Sequence, residues 1–296
     1  MKKVIDVSKH NENIQWSKVK SAVDGVIIRI GYRGYSKLGK IAKDPMADVN
    51  IKGCQAQGIP YGVYFFPCPI TTAEAIEEAE WIHSQVKDLD LSFPIYLDSE
   101  VAEPKFGSGR ADNLSKQDRT NLLLALMNHL KRYGHEVGVY ASTAWFNNRL
   151  DVSKLPTYCK LWVAQYAGKC TFTARKYSAW QFTSQAICDG IDKRVDMSYY
   201  YDKFSTNVTV TTKNPYTEPK RLLCRKTPMQ YGNDVKWLQY ELIRHGCLPE
   251  NNAKGKSNID GWFGDATAIA VHAFQKQAKI TVDGKVGAIT RKYLKM

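Results

Sequence analysis

The sequence lacks the signatures of a metal centre and of a membrane protein. Its seven cysteines form no C-x-x-C pair, its six histidines are scattered, and it has no H-E-x-x-H motif. We therefore expect neither a catalytic metal nor another cofactor. No apolar run approaches the roughly 18–20 residues that a membrane span requires, so no membrane span is expected.

The beginning of the chain also lacks the pattern of a secretory signal. The basic pair Lys2 and Lys3 is followed by Asp6, Lys9 and His10 before an apolar segment could form. A cleavable signal peptide is not expected, which predicts synthesis in the cytoplasm and reduced cysteine thiols.

Acidic side chains are scarce relative to basic ones, 29 against 42, which gives a formal charge of +13. Such a surface favours polyanions, including nucleic acid, anionic lipid and a wall that carries teichoic acid. The chain contains no recognised DNA- or RNA-binding motif, so nucleic acid is not expected as a partner. Its 296 residues, 44% of them hydrophobic, predict one large domain and one small domain.

The segment 93–100, F-P-I-Y-L-D-S-E, leads an apolar strand into two carboxylates. Side chains alternate along a strand, so Asp98 and Glu100 are predicted to leave the same face. Burial of two neighbouring acids raises the pKa of at least one of them, which suits a proton donor near neutral pH. The alternative for any single D-x-E triplet is a strand end that faces water.

Eight strands are predicted, and helical segments separate the first five. The strands are 4–8, 25–30, 61–66, 93–100, 137–141, 160–166, 178–183 and 194–198. This order predicts an α/β fold, a TIM-like β/α barrel in which helices are missing after the later strands.

Functional residues of such barrels lie at the C-terminal ends of the strands. Asp6 is late in the first predicted strand, Asp98 and Glu100 are late in the fourth, and Asp196 is late in the eighth. The first and last strands meet when a barrel closes, so the four carboxylates are predicted at one mouth. Aromatic residues at the same end could stack on sugar faces or simply pack in the core: Tyr64, Phe66, Tyr140, Trp162, Tyr166 and Trp180.

A series of short motifs accompanies these residues in a fixed order. They are I-D-V-S (5–8), V-I-I-R (26–29), G-V-Y-F (62–65), the D-x-E, V-Y-A-S (139–142), W-V-A-Q-Y (162–166), W-Q-F (180–182) and V-D-M-S (195–198). Together they make residues 1–203 resemble the family 25 glycoside hydrolases, the Chalaropsis-type lysozymes or N-acetylmuramidases. Ser198 departs from the usual V-D-x-N ending. Arg29 and Gln165, which lie within these motifs, join the predicted substrate-binding residues.

The resemblance implies hydrolysis, with net retention, of the β-1,4 bond between N-acetylmuramic acid and N-acetylglucosamine. It implies that Glu100 is the general acid, that Asp98 assists the 2-acetamido group or the oxocarbenium charge, and that Asp6 and Asp196 complete the acidic mouth. Participation of the substrate's acetamide, with Tyr140 as a hydrogen-bond partner, is the preferred route. Asp196 as a covalent nucleophile is the competing one.

The last fifth of the chain contains an internal repeat. The turns at 259–267 and 282–290 share the pattern apolar-D-G-x-apolar-G-x-x-T, and helices are predicted at about 234–245, 265–277 and 288–294. With D-V-x-x-L-Q at 234–239, this region resembles the peptidoglycan-binding domain 1 family. The predicted domains are 1–203, a linker at 204–229, and a three-helix domain at 230–296.

Both resemblances point to bacterial peptidoglycan as the partner, and a Gram-positive wall is expected. From Lys220 to the C-terminus, 14 Lys and Arg stand against 6 Asp and Glu, a charge that could hold an anionic wall or form only a solvated face. The expected role is that of a phage or prophage endolysin that acts at the wall during host lysis. A bacterial autolysin and a catalytically inactive wall-binding protein are the alternatives.

Overall fold

The structure, a computed structural model, describes residues 1–101, 109–204, 214–249, 251–252 and 256–295. The chain divides into two units, residues 1–210 and 211–296. The described residues of the first unit form nine strands: β1 Lys2–Val7, β2 Gly25–Arg33, β3 Ile41–Lys43, β4 Tyr61–Phe66, β5 Ile95–Asp98, β6 Val137–Ser142, β7 Lys160–Ala164, β8 Ala179–Cys188 and β9 Ile191–Tyr200. Its α-helices are α1 Trp16–Ala22, α2 Ala47–Gln57, α3 Thr72–Val86, α4 Lys116–Arg132 and α5 Thr143–Arg149.

Eight of these strands form a closed barrel, which confirms the predicted fold. The strand order is β1-β9-β8-β7-β6-β5-β4-β2, and β1 closes the ring by pairing with β2. The ninth strand, β3, lies outside the ring and pairs antiparallel with β2. It was not predicted, because three residues are too few to show an alternating pattern.

The strands β7, β8 and β9 follow one another without α-helices between them, as the sequence predicts. No α-helix occurs between β7 and β8 or between β8 and β9, where every residue is described. Gly190, with φ of 91°, lies in the two-residue turn that joins β8 to β9. Such a short connection can only make an antiparallel pair, and β9 accordingly runs antiparallel to both β8 and β1.

The direction of β9 corrects one prediction. Asp196 does not lie late in a parallel strand but in the middle of β9, directly opposite Asp6 of β1. The prediction assumed that every strand of the barrel is parallel. Because the last strand enters from the opposite side, its middle residue reaches the level of the first strand's end.

The barrel has two layers of apolar packing. Side chains that point outward from the strands pack under the helices, for example Ile5 and Val7 of β1. A smaller cluster fills the barrel interior with Val4, Ile27, Phe93, Tyr96, Trp162, Ala179 and Tyr200. Val4 therefore points inward and Ile5 outward, and the alternation carries Asp6 to the inside above this aromatic plug.

In the second unit, the part of the chain that is described forms three helices, as predicted: α6 Asn233–Arg244, α7 Asp265–Gln277 and α8 Ala288–Leu294. Val235, Leu238, Phe274 and Leu294 belong to its buried core. Of the predicted linker, residues 205–213 lie outside the described residues, whereas Leu223 is fully buried in this core. The domain boundaries at 203 and 230 stay predictions. Within the described ranges, no helix is both long and apolar enough to cross a membrane.

Candidate active site

A cavity of about 180 Å³ opens inside the barrel, at the end where β1 and β5 finish. It is lined by Asp6, Tyr64, Asp98, Glu100, Tyr140, Trp162, Tyr166, Gln181 and Asp196. The structure thus brings together the four predicted carboxylates and four of the six predicted aromatic residues. Gln181 is the one lining residue that was not predicted.

Asp98 and Glu100 enter the cavity from either side of Ser99. The strand β5 ends at Asp98, so the strand predicted over 93–100 was too long and Glu100 lies just beyond it. The backbone N–H of Ser99 donates to the carbonyl of Tyr140 (2.9 Å), and its hydroxyl accepts from Nε1 of Trp145 in α5 (3.0 Å). These two bonds hold Ser99 toward α5, so its two neighbours face the barrel interior.

Gln181 links Asp6 to two of the tyrosines that line the cavity. Its side-chain nitrogen donates to Asp6 Oδ2 (2.9 Å), and its oxygen accepts from the hydroxyls of Tyr140 (2.8 Å) and Tyr166 (3.0 Å). Gln181 lies in the W-Q-F motif, where strand alternation should have identified it. Its neighbour Trp180 occupies the other face of β8, where Nε1 donates to the Gln165 carbonyl (2.8 Å).

The surroundings of the acids raise their pKa values, and they raise that of Glu100 above that of Asp196. Burial, and then the charge of Asp196, raise the pKa of Glu100 to about 7. Burial raises the pKa of Asp196 to about 6. Burial is also the main cause of the raised pKa of Asp6, followed by the charge of Asp196. Carboxylates this close cannot all ionise at neutral pH, and a protonated Glu100 beside an ionised Asp196 is the arrangement these pKa values favour.

Asp98 is as deeply buried as Asp6, with 7% of each residue exposed. Burial and then the charge of Glu100 raise its pKa, whereas the charge of Arg29 lowers it. Its Oδ1 atom is buried and has no hydrogen-bond partner among the described residues. An unpaired buried oxygen of this kind costs free energy, so it is suited to accept a hydrogen bond from a bound ligand.

Four predicted substrate-binding residues do not line the cavity. Arg29 donates to Asp44 (2.7 Å), and Phe66 packs edge-on against Tyr35 with ring centroids 6.1 Å apart. Gln165 bonds Thr171 and Thr143, and Trp180 packs against Phe182 and Tyr199. Substrate contact by Arg29, Phe66, Gln165 and Trp180 stays a prediction.

Ser198 supports the cavity from below. It is fully buried, and its hydroxyl accepts from Nε1 of Trp162 (3.0 Å). Serine thus fixes the indole that forms the cavity floor, at the position where the resemblance expects asparagine.

Comparison with known proteins adds the family. A model of glycosyl hydrolases family 25 matches residues 5–191. The chain belongs to glycosyl hydrolase family 25. A second model, described as a peptidoglycan binding domain, matches residues 231–294 of this family 25 chain.

Two curated proteins illustrate the relationship. The family 25 chain is 27% identical over 172 residues to the "Probable GH family 25 lysozyme 2" of Dictyostelium discoideum, across 57% of this chain and 74% of that protein. It is 34% identical over 83 residues to the "N-acetylmuramoyl-L-alanine amidase CwlL" of Bacillus licheniformis, across 28% of this chain and 23% of the amidase.

Solved structures share the barrel. The modular autolysin LytC from Streptococcus pneumoniae matches with a TM-score of 0.60 and 33% identity, across 68% of this chain and 46% of the autolysin. The catalytic domain of endolysin ply40 from bacteriophage P40 of Listeria monocytogenes matches with a TM-score of 0.55 and 25% identity, across 71% of this chain and 95% of that domain. The family 25 chain thus spans less than half of the autolysin's length. It is a glycoside hydrolase related to lysozymes.

Proposed function

We propose that the barrel cavity cleaves the β-1,4 bond between N-acetylmuramic acid and N-acetylglucosamine in peptidoglycan, with net retention. One observation carries the proposal: four carboxyl groups, of which Glu100 has a pKa of about 7 and Asp196 a pKa of about 6, share one cavity with Tyr64, Tyr140, Trp162 and Tyr166. Paired acids of unequal pKa supply acid chemistry, and the aromatic walls suit a sugar ring.

Glu100 acts as the general acid in this proposal. A carboxyl group with a pKa of about 7 holds its proton in a large share of molecules at neutral pH, yet releases it readily. The proton passes to the glycosidic oxygen as the bond from that oxygen to the sugar carbon C1 breaks. The same group, now ionised, then removes a proton from the water that attacks C1.

Asp98 and Tyr140 assist the substrate's own acetamide. The acetamide oxygen attacks C1 from the face opposite the leaving group, and its N–H donates to the unpaired Oδ1 of Asp98. The hydroxyl proton of Tyr140 already goes to Gln181, so Tyr140 meets the acetamide as an acceptor and shares its single N–H with Asp98 in a three-centre hydrogen bond. Positive charge that develops at C1 and on the acetamide favours the ionised form of Asp98, with Asp6 and Asp196 around it.

The competing route uses Asp196 as a nucleophile. Its pKa of about 6 leaves it largely ionised at neutral pH, as a nucleophile requires. Mass spectrometry of a variant slowed in its second step decides between the two routes. A glycosyl adduct on Asp196 would contradict acetamide participation, whereas its absence during turnover is expected.

The test of the activity is wall clearing by wild type and by Glu100→Gln. We expect the glutamine variant to lose about 10³-fold in rate, because an amide cannot donate the proton. Asp48→Asn, which alters an exposed acid outside the cavity, is the control and should clear walls at the wild-type rate. New reducing ends of muramic acid identify the bond that was cut. Wild type that binds walls but leaves them intact would instead support the inactive wall-binding protein.

The remaining proposals concern the whole chain. We infer a catalytic domain at 1–203, a linker at 204–229 and a peptidoglycan-binding domain at 230–296, and an endolysin role at the wall of a Gram-positive host. The match of residues 231–294 to a peptidoglycan binding domain supports the second domain, and similarity to endolysin ply40 supports the role. Sedimentation of Glu100→Gln with purified Gram-positive walls, but not with walls from which peptidoglycan has been digested, tests the partner.

A further inference from the structure

The second unit builds one turn twice, and the first copy is the turn at Asp260. The side-chain nitrogen of Gln239, in α6, donates to Asp260 Oδ1 (2.8 Å) and to the Trp262 carbonyl (3.0 Å). Its oxygen accepts from the N–H of Gly261 (2.8 Å). The φ of Gly261 is 83°, a conformation that favours glycine. One buried glutamine therefore fixes the whole turn.

The second copy is the turn at Asp283. Gln275 of α7 donates to Asp283 Oδ1 (2.8 Å) and to the Lys285 carbonyl (3.0 Å), and it accepts from the N–H of Gly284 (2.9 Å). Position by position, Lys285 is thus the counterpart of Trp262. Because the same network forms around either residue, the turn does not need a tryptophan in order to fold.

Only the first turn carries exposed aromatic rings. Tyr231 and Trp262 face each other across an isolated backbone bridge, with ring centroids 4.4 Å apart and planes tilted by 38°. Tyr231 is 53% exposed and Trp262 is 48% exposed, and the exposed side chain of Met229 lies two residues before Tyr231. We call Tyr231 and Trp262 the aromatic platform. Contiguous exposed apolar surface of this kind marks an interaction site, whereas single exposed residues do not.

The aromatic platform is held in place before any ligand arrives. Arg221 donates to the Tyr231 carbonyl (2.9 Å) and places two further bonds on the carboxylate of Asp234 (2.6 and 3.1 Å). The backbone N–H of Trp262 donates to Asp260 Oδ1 (2.8 Å). These bonds fix the backbone that carries the two rings, and the rings pack against each other. Little conformational entropy is therefore lost when they bind a ligand.

We propose that Tyr231 and Trp262 bind the glycan strand of peptidoglycan by stacking on the apolar face of an N-acetylhexosamine ring. This inference rests on the proposed function, since it names the part of the polymer that the second unit contacts. The polarised C–H groups of a pyranose face meet the electron-rich faces of aromatic rings. Peptide carboxylates or teichoic-acid phosphates would instead seek a cation. Arg221 is already paired with Asp234, whereas the side chain of Lys236 passes Gly261 beside the ring of Tyr231 and is a cation that they could use. A neutral glycan therefore separates stacking on the rings from ion pairing.

The experiment uses the full chain with Glu100→Gln, so that the sugar is not consumed, labelled with 5-fluorotryptophan. The probe is a β-1,4-linked N-acetylglucosamine oligomer, which carries neither peptide nor phosphate. The fluorine signal that is missing from Trp262→Lys identifies Trp262 among the seven tryptophans. We expect this signal to shift on titration, and we expect Trp262→Lys and Tyr231→Ala each to weaken retention on insoluble peptide-free glycan about tenfold.

The repeat supplies matched variants. Trp262→Lys copies the residue of the equivalent turn, so the fold should survive, and thermal unfolding checks this. Lys285→Ala alters the equivalent position of the second turn and should leave retention on the neutral glycan unchanged. If the Trp262 signal is unmoved by the oligomer, or moves only with stem peptides or teichoic acid, the inference is overturned. Wall clearing by the chain with Glu100 intact is measured separately, so a failure of the proposed activity remains distinguishable.

Discussion

The cavity has two acidic walls that are built in different ways. The β5 wall, Asp98 and Glu100, comes from one continuous turn held by Ser99. The β1–β9 wall, Asp6 and Asp196, comes from two residues that face each other across an antiparallel ladder. The first is a local motif and the second is a product of barrel closure. The positions of Asp98 and Glu100 can therefore be changed by one side chain behind the turn. The positions of Asp6 and Asp196 are set by the pairing of whole strands.

Among variants that leave all four acids in place, the largest effect is expected on the β1–β9 wall, from Gln181→Leu. This change leaves Asp6 Oδ2 and the hydroxyls of Tyr140 and Tyr166 without their shared partner. We expect a loss of about 2 kcal/mol in the free energy of unfolding and about 100-fold in kcat. Denaturant unfolding and initial rates measure the two. Gln185→Leu, at an exposed position of the same strand, is the comparison, and equal effects of both variants would refute a special role for Gln181.

The next effect concerns the free energy of unfolding, which the buried acid Glu100 of the β5 wall lowers at neutral pH. The pKa of Glu100 is raised to about 7, so the unfolded chain releases this proton at lower pH than the folded one. Stability should therefore fall as pH rises from about 4.5 to 7, and Glu100→Gln should remove that cost. We expect the variant to be more stable than wild type by about 2 kcal/mol at pH 8 and by little at pH 4. A difference that stays constant between these pH values would contradict the assignment.

A smaller effect is expected from Trp145→Phe, behind the β5 wall. Phenylalanine keeps most of the packing but removes the bond to the Ser99 hydroxyl. We expect kcat to fall about tenfold with KM nearly unchanged, because Asp98 and Glu100 lose alignment rather than substrate contact. Unfolding free energy should fall by about 1 kcal/mol. A change confined to stability, with kcat intact, would make Trp145 a purely structural residue.

The smallest effect tests the link between the walls. The charge of Asp196 raises the pKa of Glu100, so Asp196→Asn should move the alkaline limit of kcat/KM about 0.5–1 pH unit lower. Asp6→Asn serves as the matched variant on the same wall. We expect it to move this limit less, because Asp196 is the carboxylate whose charge raises the pKa of Glu100. Residual activity is sufficient for the profile, and an unmoved limit in Asp196→Asn would show that the walls titrate independently.

The sequence predicted the fold well, because strand and helix periodicity is a local property. The eight barrel strands, the loss of helices after the later strands and the three-helix unit are all confirmed. The prediction that Asp196 lies late in the last strand was wrong, because periodicity locates a strand but does not show that it runs antiparallel to its neighbours. The short β3 was missed because three residues carry too little pattern.

The site was predictable where its residues are acids at strand ends. Side chains that act through hydrogen bonds were missed, because Gln181, Ser99 and Trp145 look like ordinary strand and helix residues until the barrel is closed. Trp180 was predicted to bind substrate, with core packing as the alternative. The structure places it on the face of β8 opposite Gln181, and its contact with substrate stays a prediction. An inward assignment for every second residue would have exchanged Trp180 for Gln181.

The pairing of β1 with β9 has a consequence for biosynthesis. Asp6 and Asp196 are 190 positions apart (196 − 6), and they meet only after the strand that ends at Tyr200 has been made and has docked. A nascent chain that has not yet emerged that far possesses Asp98 and Glu100 but no completed pocket around them. Contacts of such long sequence separation form late, so the hydrolytic centre matures with the final step of folding rather than before it.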